Sequence, residues 1–193
     1  MLRGLCRQNQ EAAQPPRSRM NPAPAYTLRH IATGFWLGLL LPAGCGSPSS
    51  KPPPSAPSPL LSKTTPDFAR AALDGSRVET ASLRGRVMLI DFFAEHCVPC
   101  VKSLPAIEAL HRAEPHLAVV GVSEDDDAEG ARRMVARHGL TFPVVHDPEH
   151  ALAGRYRVVE LPATFVVDAR GVVRWRGAVE DEAQARAAVD GAR

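Results

Sequence analysis

The sequence predicts an α/β fold in which helices flank a central mixed β-sheet, and three observations lead to this class. Near-continuous apolar runs at 86–93 and 117–122 are typical of strands that are buried on both faces. Segments with helical spacing alternate with these runs, and a β-hairpin and a further helix come last. Residues 62–193 are numerous enough to bury such a core without disulfide bonds, so we expect one α/β domain there.

The other elements follow in the order that this class requires. Residues 97–112 have apolar side chains at near-helical spacing, and 128–138 is polar and helix-forming behind the acids 125–127, which would cap it. A short strand at 142–145 and a short helix at 149–156 are predicted next. The last predicted elements are a hairpin of strands 164–168 and 172–175, split by Ala169-Arg170-Gly171, and a helix at 181–189.

Proline and charge are distributed unevenly between the two parts of the chain. Residues 1–61 contain 11 of the 18 prolines, six Lys or Arg and one acid, a net charge of +5. Residues 62–193 contain 17 basic and 20 acidic residues, a net charge of −3. The basic balance of the whole chain therefore belongs to the N-terminal part, which argues against a nucleic-acid-binding domain. No apolar run reaches the roughly 20 residues of a spanning helix, which argues against a multi-span membrane protein.

The first 44 residues have the pattern of an export signal. The apolar run 31–41 follows Arg29-His30 and has the length of a signal-peptide core. It is followed by Pro42-Ala43-Gly44-Cys45, which resembles a bacterial lipoprotein signal, although Pro42 stands where leucine is usual. We therefore expect a leader at 1–44 and lipid attachment at Cys45. A plain secretory leader and an uncleaved anchor are the alternatives, and either Met1 or Met20 is the true start.

Residues 45–61 are predicted to connect this leader to the domain. They consist mainly of Pro and Ser, which cannot bury a core and favour an extended, semi-rigid chain. Such a segment directly behind a lipid-attachment cysteine would act as a tether between the membrane and the domain.

The strongest chemical signal is the sequence Cys97-Val98-Pro99-Cys100, where a predicted strand is followed by a helix. A thiolate at the N-terminus of a helix is stabilised by free backbone N–H groups and by the helix dipole, which lowers the pKa of the thiol. Cys97 would then be the nucleophile, and Cys100, one turn further and more buried, would close the disulfide. Pro99 suits the first turn of the helix, where its missing N–H costs little.

Three other interpretations of the cysteine pair compete with redox catalysis. A structural disulfide across so short a loop would restrict the unfolded chain very little. A zinc site needs two more ligands, and His96 and His111 do not form a second recognisable ligand pair. A c-type haem needs histidine directly after Cys100, where Val101 stands. Redox catalysis by the cysteine pair alone, with no metal and no cofactor, is the reading that we favour.

The domain resembles a known family in several motifs that occur in the same order. Residues 88–100, with Pro105 in the next helix and Leu161-Pro-Ala-Thr-Phe-Val-Val-Asp168, look like the thioredoxin fold. Upstream, Pro66-Asp-Phe, Leu73-Asp-Gly and Leu83-Arg-Gly-Arg86 look like the TlpA/ResA-type branch of exported, membrane-held thiol–disulfide oxidoreductases. The resemblance covers about residues 62–180 and implies a thioredoxin-like fold.

The resemblance also implies roles for residues around the cysteine pair. Pro162 would form a cis peptide bond that faces the pair, and its neighbour Leu161 would help to hold extended substrate. Asp91 matches a buried acid behind the second cysteine, where it would take the proton of Cys100 during catalysis. The alternative for Asp91 is a hydrogen-bonded core residue without a role in the reaction.

Two further residues are candidates for tuning the pKa of the nucleophile. His96 replaces the tryptophan that usually precedes the first cysteine, and a protonated imidazole there would stabilise the Cys97 thiolate. Glu124 corresponds in order to a glutamate near the pair in some relatives, but a solvated acidic turn is the interpretation that we favour. A surface substitution with little effect is the competing explanation for His96.

The function expected from sequence is thiol–disulfide exchange with exported proteins on the periplasmic side of a bacterial membrane. We expect a reductase that serves cytochrome c maturation or another exported protein, receives electrons from an upstream donor and works as a monomer. One alternative is a peroxiredoxin-like thiol peroxidase, but Ala94 and Ile90 stand where that class has threonine and proline before its cysteine. The other is a copper metallochaperone, for which His138, His146 or His150 would have to supply a ligand.

Overall fold

A computed structural model describes residues 51–193 and shows the predicted mixed α/β architecture, with helices on both faces of a five-stranded sheet. The strands are β1 (Ala69–Ala71), β2 (Arg77–Glu79), β3 (Met88–Phe93), β4 (Ala118–Ser123), β5 (Val144–His146), β6 (Ala163–Val167) and β7 (Val173–Gly177). The helices are α1 (Cys100–Ala113), α2 (Ala128–His138), α3 (Ala151–Tyr156) and α4 (Glu182–Asp190).

The order of strands in the central sheet is β5-β4-β3-β6-β7. β3 pairs in parallel with β4, and β4 pairs in parallel with β5, whereas β6 runs antiparallel to both β3 and β7. The two short strands β1 and β2 form a separate antiparallel pair. β3 therefore lies at the centre of the sheet, which explains why all six of its residues are buried and why its sequence is nearly continuously apolar.

The two faces of β3 belong to two different hydrophobic clusters, because successive side chains of a strand point to opposite sides. Leu89 and Phe93 lie in the cluster that includes the cysteine pair and the buried residues of α1 and α4. Ile90 and Phe92 lie in the cluster on the other face, which includes residues of α3 and of the β1–β2 pair. The turn at 97–99, called the redox turn below, and helix α1 therefore cover the face formed by the odd-numbered residues of β3.

Two helices begin at aspartates that cap them, one among the predicted capping acids 125–127 and one at Asp181. The side chain of Asp127 accepts a hydrogen bond from the Gly130 N–H at 2.8 Å, and Asp181 accepts one from the Gln184 N–H at the same distance. Each cap satisfies one of the free N–H groups at the start of α2 or α4. Gly139 ends α2 with a φ of 59°, a left-handed conformation that glycine adopts without strain.

Two sequence expectations differ from the structure in detail. Helix α1 begins at Cys100 rather than at residue 97, because 97–99 form a turn in which the Cys100 N–H donates to the Cys97 carbonyl at 3.1 Å. The β1–β2 pair was not expected, since strands of three residues with only one buried centre leave little periodic signal.

The Pro/Ser segment predicted as a tether contacts the domain over its described part, residues 51–61. The Trp175 indole N–H donates to the carbonyls of Pro53 and Pro54 at 3.1 and 3.3 Å. The Ser55 hydroxyl accepts the Arg176 N–H at 3.0 Å, so the segment lies along the free edge of β7. The Ala56 N–H also donates to the Arg176 carbonyl at 2.7 Å, so the residues that follow the prolines satisfy the backbone of this edge strand.

The other expectations for the N-terminal part stay predictions. The leader at 1–44 and the lipid-attachment residue Cys45 lie outside the described residues, and the boundaries of the predicted domain remain untested. Within residues 51–193, no helix is both long and apolar enough to cross a membrane.

Candidate redox site

The cysteine pair lies at the carboxyl end of the central strand, where the chain turns into α1. Cys97 and Cys100 form a disulfide with a Cα–Cα distance of 5.3 Å. The turn is fixed by the Cys97 N–H, which donates to the Ala94 carbonyl at 3.1 Å, and it packs on the core through Ala94 and Phe93. The position of the pair is therefore determined by the most buried strand of the sheet.

The two sulfur-bearing residues differ in environment. Cys97 retains 6% of its exposure and borders an open groove, whereas Cys100 is fully buried. The N–H of Cys100, the first residue of α1, donates to the Cys97 sulfur at 3.2 Å. In the reduced state this arrangement stabilises a thiolate on Cys97 rather than on Cys100.

An open groove of about 500 Å³ adjoins Cys97. Its other walls come from the neighbouring turn residues and from the loop that precedes β6, and they comprise His96, Val98, Pro99, Val159, Glu160 and Leu161. The Leu161–Pro162 peptide bond is cis, and Pro162 is buried while Leu161 is partly exposed. Leu161 thus lies beside Cys97 in the structure, although 64 positions separate the two residues in the sequence.

The groove also contains two of the three large hydrophobic side chains that are exposed in residues 51–193. Three large hydrophobic side chains are exposed in this part of the chain, namely Val98 at 80%, Val159 at 88% and Val101 at 44%. Val98 and Val159 line the groove itself, and Val101 follows the pair in α1. Exposed apolar surface of this kind is typical of a contact site for another protein.

Asp91 is completely buried in the middle of β3, on the face that α1 and the cysteine pair cover. Burial disfavours the charged carboxylate and raises its pKa from 3.8 to about 7, while a hydrogen bond from the Thr164 hydroxyl acts in the opposite direction. A carboxyl group with such a pKa can accept and release a proton near neutral pH. The raised pKa of Asp91 is therefore compatible with the proton-accepting role that the resemblance implies.

Glu124 and His96 line a second cleft of about 430 Å³ next to the redox turn. Burial raises the pKa of Glu124, and the nearby imidazole of His150 opposes that shift, with Nδ1 3.2 Å from Glu124 Oε2. Glu124 is thus a half-buried acid with a partner rather than a freely solvated turn residue. His96 borders both this cleft and the groove at Cys97.

Within residues 51–193, no group of three or more His, Cys, Asp or Glu side chains is arranged to hold a metal ion. The histidines that a copper chaperone would need do not converge on the cysteine pair. His150 is bonded to Glu124, and the ring of His146 contacts the Asp125 carbonyl at 2.7 Å.

Residues 61–176 match the model of the AhpC/TSA family. The chain belongs to this family. Among curated relatives, the thiol-disulfide oxidoreductase ResA of Bacillus thuringiensis (strain Al Hakam) is 29% identical to this chain over 115 residues. The thioredoxin-like protein YneN of Bacillus subtilis (strain 168) is 31% identical over 113 residues.

The two matches cover 58% and 56% of this chain, and each covers 66% of the relative, just under two thirds of its length. Among solved structures, a Chlorobium tepidum protein described as a candidate thiol:disulfide interchange protein, DsbE, superposes with a TM-score of 0.60. It is 27% identical, and the match covers 67% of this AhpC/TSA chain and 97% of the other. These matches confirm the thioredoxin-like fold and the resemblance to the ResA-type branch.

Sequence reasoning did not identify three residues that belong to the site of this AhpC/TSA protein. Thr164 contacts Asp91, His150 contacts Glu124, and Val159 lines the groove. Thr164 stands directly opposite Asp91 on the neighbouring strand, so a correct register of β3 and β6 would have found it. The sequence marks His150 only as a candidate copper ligand, and it gives no signal at Val159, which lies in a segment without regular structure.

Proposed function

We propose that this protein catalyses thiol–disulfide exchange and works as a reductase of disulfides in exported partner proteins. The observation that carries the proposal is the asymmetry of the Cys97–Cys100 pair. One sulfur borders an apolar groove at the start of a helix, and the other is fully buried behind it. This arrangement supports a nucleophile that meets a partner protein and a resolving thiol that no partner reaches.

In the proposed reaction the Cys97 thiolate attacks one sulfur of the partner disulfide. The partner's S–S bond breaks, its second sulfur leaves as a thiolate that takes up a proton, and a mixed disulfide with Cys97 forms. The Cys100 thiol then gives its proton to Asp91 and attacks the Cys97 sulfur, which releases the first partner sulfur. The partner gains two electrons and the cysteine pair becomes the disulfide, which an upstream dithiol donor reduces again.

The groove supports binding of an extended segment of the partner. Leu161 and Pro162 precede β6 beside Cys97, and the exposed Val98 and Val159 offer apolar contacts on either side of it. Such contacts would hold the partner disulfide within reach of the Cys97 sulfur. His96 and Glu124 are proposed to adjust the acidity of that sulfur from the adjoining cleft.

Trapping of mixed disulfides tests the proposal. Cys100→Ser should retain partners on Cys97 as mixed disulfides that dithiothreitol releases, and Cys97→Ser should retain none. The wild type should reduce a model protein disulfide with dithiothreitol as donor. If Cys97→Ser supports the same rate, or if Cys100→Ser retains nothing, the mechanism is wrong. Consumption of peroxide at a comparable rate would favour the thiol peroxidase reading, and stoichiometric copper that survives chelation would favour the metallochaperone.

The direction of electron flow has its own test. Equilibration of the pair with glutathione buffers gives its reduction potential. A reductase should lie near the potential of thioredoxin, about −270 mV, and an oxidant near that of DsbA, about −120 mV. A value near −120 mV would leave the exchange chemistry intact and overturn the reductase role.

Export and membrane attachment are proposed from the leader alone. We infer that cleavage before Cys45 and lipidation of that residue hold the domain on the periplasmic side of the membrane. Incorporation of labelled palmitate should disappear in Cys45→Ser and persist in Cys6→Ser. Label that survives Cys45→Ser would show that the lipoprotein interpretation is wrong.

A further inference from the structure

Asp91 is bound by a single side chain, which comes from the neighbouring strand. Thr164 of β6 stands directly opposite Asp91 of β3 in the antiparallel register. Its hydroxyl donates to Asp91 Oδ1 at 2.6 Å, and both residues are fully buried. Asp91 Oδ2 is also buried, and it has no hydrogen-bond partner among residues 51–193. Oδ1 of Asp91 therefore accepts a hydrogen bond, whereas Oδ2 accepts none from residues 51–193.

The other strand neighbour of Asp91 offers no competing contact. Gly121 of β4 pairs with Asp91 on its parallel side and has no side chain. Burial and the Thr164 hydroxyl are the two causes that act on the pKa of Asp91, and no charged group contributes. Apart from burial, the acidity of the Asp91 carboxyl therefore depends on one hydroxyl group, which also holds Oδ1 in place.

Asp91 and Thr164 lie on the face of the sheet that the cysteine pair and α1 cover. Asp91 shares its strand face with Leu89 and Phe93, and both of these pack in the cluster that contains Cys100 and the N-terminal half of α1. Directly opposed residues of neighbouring strands project to the same face, so Thr164 lies on this side as well.

We propose that Thr164 is a positioning residue for the resolving step: its hydroxyl holds Oδ1 of Asp91, so that Oδ2 receives the proton of Cys100. The inference rests on the proposed thiol–disulfide exchange. The Cys100 S–H bond breaks and an O–H bond to Oδ2 forms, while the Cys100 sulfur bonds to Cys97 and expels the partner thiolate. Thr164 itself exchanges no proton and touches no reacting atom.

A purely structural threonine would satisfy Asp91 without affecting the rate of this step. The two roles separate because the hydroxyl stabilises the carboxylate more than the protonated acid. Without it the Asp91 carboxyl should hold its proton to a higher pH. The amount of base available near pH 7 would then fall, whereas a threonine that only fills space would leave the pH dependence of resolution unchanged.

The test follows resolution alone. Reduced protein reacts with Ellman's reagent, Cys97 forms a mixed disulfide with thionitrobenzoate, and Cys100 then expels that coloured thiolate in a second phase. We expect the rate of the second phase in the wild type to rise with pH around the pKa of Asp91. In Thr164→Val the inflection should move up by about one pH unit, which makes resolution roughly fivefold slower at pH 7.

Three comparison variants make the result specific. Thr164→Ser keeps the hydroxyl and should restore the wild-type profile. Thr65→Val removes a buried threonine hydroxyl that contacts Tyr156 on the other face of the sheet, and it should leave resolution unchanged. In an Asp91→Asn background, Thr164→Val should slow resolution no further. If valine is not accommodated, Thr164→Ala set against Thr164→Ser gives the same comparison.

A wild-type pH profile in Thr164→Val would overturn the positioning role. The role would also be overturned if Thr164→Val slowed resolution as much in the Asp91→Asn background as it does in the wild type. A shift that Thr164→Ser fails to restore would overturn it too, because the hydroxyl would not be the cause. Failure of the proposed function looks different: the wild type would then release no thionitrobenzoate in a second phase.

Discussion

Replacing Asp91 with asparagine should stabilise the oxidised protein, and the gain should grow as the pH rises. Asp91 is fully buried, and its pKa lies near 7 in the folded protein instead of at 3.8. The folded state therefore keeps the proton up to about pH 7, whereas the unfolded chain loses it near pH 4. The stabilisation from this protonated acid is complete below pH 4 and is lost as the pH rises to about 7. Asparagine has nearly the same shape and never carries the charge.

The size of the effect follows from the shift in pKa. Each pKa unit corresponds to about 1.36 kcal/mol, so a shift of about three units limits the total loss to about 4 kcal/mol. Between pH 5 and pH 7 about two units of the shift are expressed, which corresponds to about 3 kcal/mol. This figure is an upper limit, since relaxation of the fold around the charge would reduce it.

Urea unfolding of both proteins with the disulfide intact, at a series of pH values from about 5 to about 8.5, measures this difference. Every other titrating group is common to the two proteins, so the free energy of unfolding of Asp91→Asn minus that of the wild type isolates Asp91. The difference should rise by roughly 1.4 kcal/mol per pH unit up to pH 7 and then become constant. Parallel curves for the two proteins would refute both the raised pKa and the role of Asp91 as a base near neutral pH.

Three further predictions concern the core, the N-terminal segment and the nucleophile. Leu104→Ala removes a fully buried side chain of α1 and should lower the free energy of unfolding by about 2–5 kcal/mol. Val101→Ala, at a half-exposed site in the same helix, should change the free energy of unfolding by less than about 0.5 kcal/mol. Ser55→Ala removes the hydroxyl that bonds to both backbone groups of Arg176 and should lower the free energy of unfolding in urea by about 1 kcal/mol. Lys51→Ala, at an exposed site, is the control. Equal stability of the two variants would mean that the Ser55 hydroxyl does not hold the segment on the β7 edge. His96→Trp should raise the pKa of the Cys97 thiol, followed by the ultraviolet absorbance of the thiolate against pH, and an unchanged titration would rule out stabilisation of that thiolate by the His96 imidazole.

The sequence predicted the fold class and the large elements because their signals are local. The apolar run of β3, the spacing of α1 and the capping aspartates each lie within a few residues of the element that they specify. The cysteine motif is equally local, since a strand end and a helix start place both thiols. Resemblance to a family supplied Pro162 and Asp91, which no local pattern marks.

What the sequence could not provide depends on pairing between distant segments. The bond between Thr164 and Asp91 requires the antiparallel register of β6 on β3. The contact between Glu124 and His150 requires β5 to follow β4 in the same direction, so that the chain leaves both strands at one edge. The bonds of Ser55 and Ala56 to the backbone of Arg176 require β7 to be an edge strand. Each of these contacts joins residues at least 26 positions apart.

The strand directions also explain why the functional residues meet at one edge of the sheet. β3 and β4 are parallel, so the turns that follow Phe93 and Ser123 leave at the same edge and carry the cysteines and Glu124 there. β6 runs the opposite way, so the loop with Leu161 and Pro162 enters at that edge. Reversing β6 would move the loop to the far end of the sheet.

The same arrangement explains how a carboxyl group is buried in the central strand without a countercharge. Asp91 occupies a central strand between Gly121, which offers no side chain, and Thr164, which offers one neutral donor. A Cβ at position 121 would come within 3.1 Å of the Phe93 ring, so this neighbour is kept small by the packing below the redox turn. An arginine or lysine at either position would hold the carboxyl ionised at every physiological pH and remove the proton exchange with Cys100 that we propose. The neutrality of the two neighbours therefore keeps the acidity of Asp91 in the range that the proposed resolving step needs.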